Sequence, residues 1–279
     1  MRYLAATLDS ALADDREMAF VAGPRQVGKT TLARHLLALA GCQELYFNWD
    51  VDSHRKAIVS DPAGFFRDRL PVFAPARPRL VLDEIHKYPR WKRFLKGFFD
   101  ENEGSLSTLV TGSGRLDVYQ RGGDSLLGRY VLFHLHPFTL GELLAEGKQA
   151  ITPPDRFVAK LVGGPRDPRA AESLDRIERF TGFPGPLFAG RVERLRTWRR
   201  ARESLVLRED LRDLTRIRDL GLVESLVLLL PGRVGSPISL NALAGDLGVA
   251  FGSVRLWLEA QARLYFTFEV PPFAGRLAP

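Results

Sequence analysis

Cysteine is almost missing from this 279-residue chain, in which Cys42 is the only one. One thiol cannot close an intramolecular disulfide, so a stapled secreted scaffold is excluded and a reducing cytoplasm is the expected setting. Long apolar runs are missing too. The longest, such as Ser225 to Leu230, fall far short of the ~20 residues that cross a bilayer. The N-terminus reaches Asp9 too early to hold the apolar region of a signal peptide, so no membrane partner is expected. Histidine is scarce, and no His or Cys spacing suggests a metal cage; His134 and His136 alternate on a strand and read as structural. There is no internal repeat and no low-complexity tract. Acidic charge is also in deficit: 40 Lys and Arg against 33 Asp and Glu leave a net charge of +7. That balance favours an anionic partner such as nucleotide or nucleic acid, without choosing between them.

What is present is an ordinary globular composition with enough apolar residues for one large core or two modest ones. The first half alternates short apolar runs with helical patterns, which predicts an α/β fold with a parallel sheet covered by helices. The expected strands are Met18 to Ala22, Glu44 to Asn48, Leu80 to Asp83, Ser107 to Thr111 and Tyr130 to Leu135, with helices at Lys29 to Leu39 and Arg90 to Asp100. From Thr152 to Gly185 the chain is rich in Pro, Gly and Arg, and reads as a short helical insert between loops. Leu187 to Arg202 then has helical spacing, further helices run to Arg263, and Leu264 to Val270 reads as a strand. The resulting division is 1–140, 141–185 and 186–279.

The chemistry concentrates at two places. Gly23-Pro24-Arg25-Gln26-Val27-Gly28-Lys29-Thr30 matches the phosphate-binding loop pattern in full, between a buried strand and the start of a helix. Backbone N–H groups and the positive end of the helix then face the phosphates. Lys29 is expected to neutralise the β- and γ-phosphates of ATP, Thr30 to ligate Mg2+, and Thr31 to touch the α-phosphate. Leu80-Val81-Leu82 forms a buried strand that delivers Asp83 and Glu84 to the carboxyl edge of the sheet. Asp83 would hold the magnesium ion or its water, and Glu84 would polarise the attacking water. An Asp-Glu pair favours hydrolysis over transfer to a small molecule, so a P-loop kinase is the lesser reading.

Two further segments carry open alternatives. Thr111 or Ser113, in Leu109 to Gly114, either bonds the γ-phosphate or its water, or belongs to a plain strand exit. Arg129, just before the fifth strand, either lies at the rim of the site, or on the surface a neighbouring subunit presents, or is one surface arginine among many.

The residues resemble the AAA+ superfamily of P-loop ATPases, and particularly a bacterial and archaeal group with a winged-helix domain. The resemblance spans nearly the whole chain. It rests on Gly23 to Thr30, Leu82 to Pro89, Thr111-Gly112-Ser113, Leu127-Gly128-Arg129 with His136 to Leu140, and Gly182-Phe183-Pro184. The resemblance implies nucleotide and catalytic roles for Lys29, Thr30, Asp83 and Glu84, a first-sensor role for Ser113, and a finger role toward an adjacent subunit for Arg129. Arg191 and Arg194 are candidates for a second sensor. It also implies that the insert is a lid and that homo-oligomers form. Many members continue into a further C-terminal domain, so the chain is expected to be a shortened form or a fragment.

Ser239 to Val249, with Ser239 as N-cap, a turn at Gly248 to Gly252 and a helix from Ser253 to Arg263 have the spacing of a helix-turn-helix. The strand at Leu264 to Val270 would be part of a wing. The second helix is expected to expose Arg255, Glu259, Gln261 and Arg263, a mixed set, so double-stranded DNA contact and a protein-interaction role both stand. The helix from Leu187 to Arg202 carries six arginines, read as a solvated face or a track for phosphates or an acidic partner. Two functions remain: an ATPase whose hydrolysis switches the winged-helix module, and a nucleotide-gated DNA-binding regulator with slow turnover.

Overall fold

Five short strands, β1 (Met18–Ala22), β2 (Tyr46–Asn48), β3 (Arg79–Asp83), β4 (Ser107–Gly112) and β5 (Tyr130–His134), form one parallel sheet in the order β2-β3-β4-β1-β5. The computed structural model describes residues 2–113, 126–145, 167–206, 211 and 220–271. β1, β3 and β4 are buried along their whole length, which is why they read as apolar runs. β5 lies at an edge and is only half-buried, and β2 is the opposite edge. Register pairs Ala22 with Gly112 and Asp83 with Thr111, so the carboxyl ends of β1, β3 and β4 lie level.

Helices cover this sheet with apolar stripes at helical spacing. α1 (Leu4–Asp14) buries Leu4, Leu8 and Leu12, α2 (Lys29–Leu39) buries Leu32, Leu36 and Leu37, and α4 (Trp91–Asn102) buries Trp91, Leu95 and Phe98. α3 (Asp52–Ser60) contributes Ile58 to the same core. α1 was not foreseen; its amino end holds part of the site described below. α5 (Leu140–Leu144) starts at a capping box, in which Thr139 and Glu142 satisfy each other's backbone N–H groups. After it come α6 (Ala170–Phe180), α7 (Pro184–Ala189) and α8 (Val192–Ser204).

The chain divides into two compact units, Met1–Trp198 and Arg199–Pro279. In the second, α9 (Leu220–Leu229), α10 (Leu240–Leu247) and α11 (Phe251–Arg263) share a core of Val223, Leu226, Leu243, Val254, Trp257 and Leu258. Ser239 caps α10 by accepting from the Ala242 N–H at 3.2 Å. Gly248 ends it with φ of 65°, a left-handed turn that glycine adopts without strain.

Four expectations need correction. Leu264 to Val270 is not a strand: residues 264–266 form a turn and 267–270 have no ladder, since no partner strand stands beside them among the described residues. A lone strand leaves its backbone groups unpaired. Gln261 is fully buried rather than exposed, because it projects from the same face of α11 as Trp257 and Leu258. The helix read from Leu187 to Arg202 is two helices, broken at Gly190, whose φ of 60° ends α7. Glu44 and Leu45 belong to a 3-10 turn, so β2 begins at Tyr46. Residues 152–166 of the expected insert, together with Gly114 and Ser125 of the motifs, lie outside the described residues.

Candidate nucleotide site

The loop from Gly23 to Gly28 leaves the end of β1 and enters α2. Gly23 is required by close approach: a Cβ there would lie 2.3 Å from the carbonyl oxygen of Leu135, whose own N–H donates to Ala22 O at 2.8 Å. Gly28 has φ of 102°, and buried Val27 pins the loop between them. α2 begins without a side-chain cap, which leaves its first-turn N–H groups to the loop concavity. Lys29, buried, donates through Nζ to the carbonyl oxygens of Gly23 and Pro24, each at 2.9 Å. A phosphate would attract this ammonium more strongly than neutral carbonyls do. Gln26, Thr30 and Thr31 are exposed around the loop, and Arg25 is half-buried.

Asp83, at 1% exposure, is the polar centre of the site. Its Oδ2 accepts from Thr30 Oγ1 at 2.8 Å and from the Tyr46 hydroxyl at 2.6 Å, and its Oδ1 accepts from Thr111 Oγ1. Three hydroxyl donors offset the cost of burying the carboxylate. Tyr46 is pushed up to about 12, first by burial and then by its bond to Asp83, so it remains a donor at any physiological pH. Thr30 and Asp83 supply two oxygen donors side by side. Among the described residues no group of three or more His, Cys, Asp or Glu is poised to hold a metal ion. A carboxylate and a hydroxyl suit a hard cation that takes its other ligands from phosphate oxygens and water, as magnesium does.

Glu84 follows in the left-handed region, with φ of 58°, and its N–H donates to Thr111 O at 3.0 Å. A non-glycine residue held there costs of order 1 kcal/mol, a strain typical of functional turns. Its Oε2 is 3.3 Å from Lys87 Nζ and 3.7 Å from His86 Nε2. Lys87 also reaches Asp50 Oδ2 at 2.5 Å. Burial acts to lower the Lys87 ammonium, but Asp50 and Glu84 outweigh it and hold the group above its ordinary value. Ser113, buried just past β4, lies 3.3 Å from His86 Nε2.

Arg129 is not at this edge. It immediately precedes β5, and its carbonyl accepts from the N–H of Met18, the first residue of β1. Five residues of strand, about 15 Å, separate that end from the phosphate loop. Arg129 pairs there with Asp100 of α4, at 2.7 Å through Nε and 3.3 Å through Nη2. The reading that put it at the rim of its own chain's site is therefore corrected. A residue before a parallel strand necessarily sits at the amino edge, opposite the ligand edge.

Arg2 and the groups around it complete the surroundings. Arg2 donates to Val27 O at 3.3 Å and to His136 O, stacks 4.0 Å over Phe138, and lies 3.1 Å from Glu142 Oε1. Glu142 also accepts from the N–H groups of Tyr3 and Thr139, both at 2.9 Å. This strap fixes the phosphate loop to the segment after β5. Gly182 backs it: its carbonyl accepts from Phe138 N at 2.7 Å, and a Cβ on it would come within 2.5 Å of Phe138 O. Arg2→Ala should lower the unfolding free energy by about 3 kcal/mol, because it leaves the buried Glu142 charge without its cation. Denaturant titration checks this; a change near zero would show the strap to be idle. Of these residues, His136, Phe138, Thr139 and Gly182 lie in motifs that carried the resemblance, whereas Arg2, Tyr3 and Glu142 gave no signal in the sequence.

This sheet order, with its glycine loop and acidic strand end, is consistent with a P-loop nucleotide-binding fold. Residues 15–144 match the family model described as AAA domain, and residues 172–278 match one described as a domain of unknown function (DUF8612). The chain is also similar to three solved structures, at low identity. DnaA from Aquifex aeolicus bound to AMPPCP is 16% identical with a TM-score of 0.37, over 92% of this chain and 86% of that one. The Thermotoga maritima RuvB Holliday junction branch migration motor is 20% identical with a TM-score of 0.41, over 96% and 87%. C. elegans PCH-2 is 12% identical with a TM-score of 0.35, over 94% and 65%. No curated protein matches the chain. No helix among the described residues is long and apolar enough to cross a membrane.

Proposed function

We propose that the chain is a Mg2+-dependent ATPase whose hydrolysis cycle switches the C-terminal helical module. The observation that carries this reading is the Thr30–Asp83 hydrogen bond at 2.8 Å with Glu84 next in the chain. It brings a metal-binding pair and a candidate base to the mouth of the phosphate loop. Residues Gly23 to Thr31 cradle the phosphates, and Lys29 exchanges its two carbonyl partners for β- and γ-phosphate oxygens. Thr30 and Asp83 would hold magnesium, which supplies neutralisation of phosphate charge. Glu84 accepts the proton of the attacking water, and Ser113 donates to the γ-phosphate or orients that water. Arg129, at the far edge of its own sheet, completes the site of a neighbouring copy, which makes the active form a homo-oligomer.

In this reading the chain comprises an ATPase core over 1–140, a lid over 141–185 and a helix-turn-helix module over 186–279 that acts on double-stranded DNA in the cytoplasm. Ala244, Gly248 and Val254 support the helix-turn-helix spacing, with Ala244 and Val254 buried and Gly248 in the turn. The α11 surface is weakly cationic, since Arg255 is paired with Glu259 at 3.0 Å.

A second reading, a nucleotide-gated DNA-binding regulator with slow turnover, is favoured by one observation: the Glu84 carboxylate lies against Lys87. Phosphate release measured with and without double-stranded DNA separates the two. Steady turnover stimulated by DNA supports the first; ATP-dependent DNA binding without turnover supports the second. Under the first, Glu84→Gln should bind ATP normally and turn over about a hundredfold more slowly, because the amide orients water without accepting its proton. Turnover within a few-fold of wild type would remove Glu84 as the base.

A further inference from the structure

His86 has no part in the chemistry above, yet it is buried between two residues that do. Its side chain is 2% exposed, and its Nε2 faces both Ser113 Oγ, at 3.3 Å, and Glu84 Oε2, at 3.7 Å. Ser113 lies past the end of β4 and Glu84 past the end of β3, so one ring nitrogen spans the carboxyl ends of two neighbouring strands. On its other side Glu84 Oε2 meets Lys87, itself anchored to Asp50. Burying an imidazole beside a serine and a carboxylate is costly unless its polar atoms are used.

We propose that His86 is a positioning residue that links Ser113 to Glu84, so that the hydroxyl directed at the terminal phosphate and the carboxylate directed at the water are aligned together. This rests on the hydrolytic reading of the site. Nε2 can bond one partner closely at a time. In this structure the serine is at hydrogen-bond distance, and the carboxylate stands just beyond it, where a side-chain rotation of a few tenths of an ångström closes the gap. Movement of Ser113 toward a phosphate would thereby be felt at Glu84 through a rigid ring rather than along the backbone of residues 84–87. Lys87 holds the same oxygen from the solvent side and limits how far the carboxylate can swing away.

The test compares His86→Leu, which removes the ring nitrogens, with His86→Gln, whose amide nitrogen approximates Nε2. His86→Leu should lower kcat about tenfold or more with KM for ATP nearly unchanged, since misplacement of a catalytic group by about 1 Å costs up to a hundredfold. His86→Gln should recover most of the loss. The double variant His86→Leu with Ser113→Ala should be no slower than the slower single variant, because both break one linkage. A purely structural histidine would instead lower stability, alter KM and give effects that multiply. Nitrogen resonances of the His86 imidazole provide a readout independent of turnover: they should shift in both Ser113→Ala and Glu84→Gln protein. Unchanged resonances in both variants overturn the link even if His86→Leu does not fold, as does a His86→Leu kcat within twofold of wild type. If wild-type protein hydrolyses no more ATP than Glu84→Gln, the hydrolytic reading fails on its own, and the imidazole shifts still decide whether the linkage exists.

Discussion

Lys29→Ala protein should bind ATP at least about a hundredfold more weakly than wild type while remaining folded. The two phosphates nearest the loop lose a charge-assisted donor, and such bonds contribute about 1.5 to 3 kcal/mol each; 2.7 kcal/mol is a hundredfold in Kd. Lys29 is well placed for that exchange, since its ammonium donates to two carbonyl oxygens of its own loop. Calorimetric titration with ATP and magnesium measures the loss, and a melting curve checks folding. Wild-type affinity in the variant would remove the nucleotide site from the loop.

The second large effect concerns Arg129. It stands at the amino edge of the sheet, paired with Asp100, so the finger role proposed for it would act on a phosphate bound by another copy. Arg129→Ala should cut turnover by about 10³-fold with ATP affinity nearly intact. Mixing Arg129→Ala with Lys29→Ala chains should restore activity, since some interfaces then pair an intact loop with an intact finger. Specific activity of wild type should rise with protein concentration. If mixing restores nothing and specific activity is constant with concentration, the trans-acting role fails and Arg129 is structural.

The sheet was legible because its three central strands are buried on both faces and therefore apolar along their length. The phosphate loop was legible because its motif is contiguous in the chain and Gly28 answers a local backbone demand; the close approach of Leu135 that requires Gly23 was not visible there. The Asp83 neighbourhood was half legible. Thr30 and Asp83 follow from their motifs, but Tyr46 reaches Asp83 only through the pairing of β2 with β3, which no local pattern encodes. Arg2 was invisible for the same reason, since its partners at Val27, His136 and Glu142 are 25 to 140 residues away in the chain. Gln261 was misplaced because a polar residue on an amphipathic helix was read by its chemistry rather than by its angle beside Trp257 and Leu258. Leu264 to Val270 has strand composition, and composition cannot supply the neighbour that a strand needs.

The order of the strands has a consequence for where neutral and charged groups sit. β4 stands between β1, which leads into the phosphate loop, and β3, which carries Asp83 and Glu84. Adjacent strands are about 4.8 Å apart, so the backbones of β1 and β3 run about 10 Å from each other. Side chains close that gap, since Thr30 at the start of α2 donates to Asp83 at 2.8 Å. From the strand between them Thr111 donates to the other oxygen of Asp83, and Ser113 follows just past its end. The intervening strand thus lines the space between the loop and the acidic strand with neutral hydroxyls.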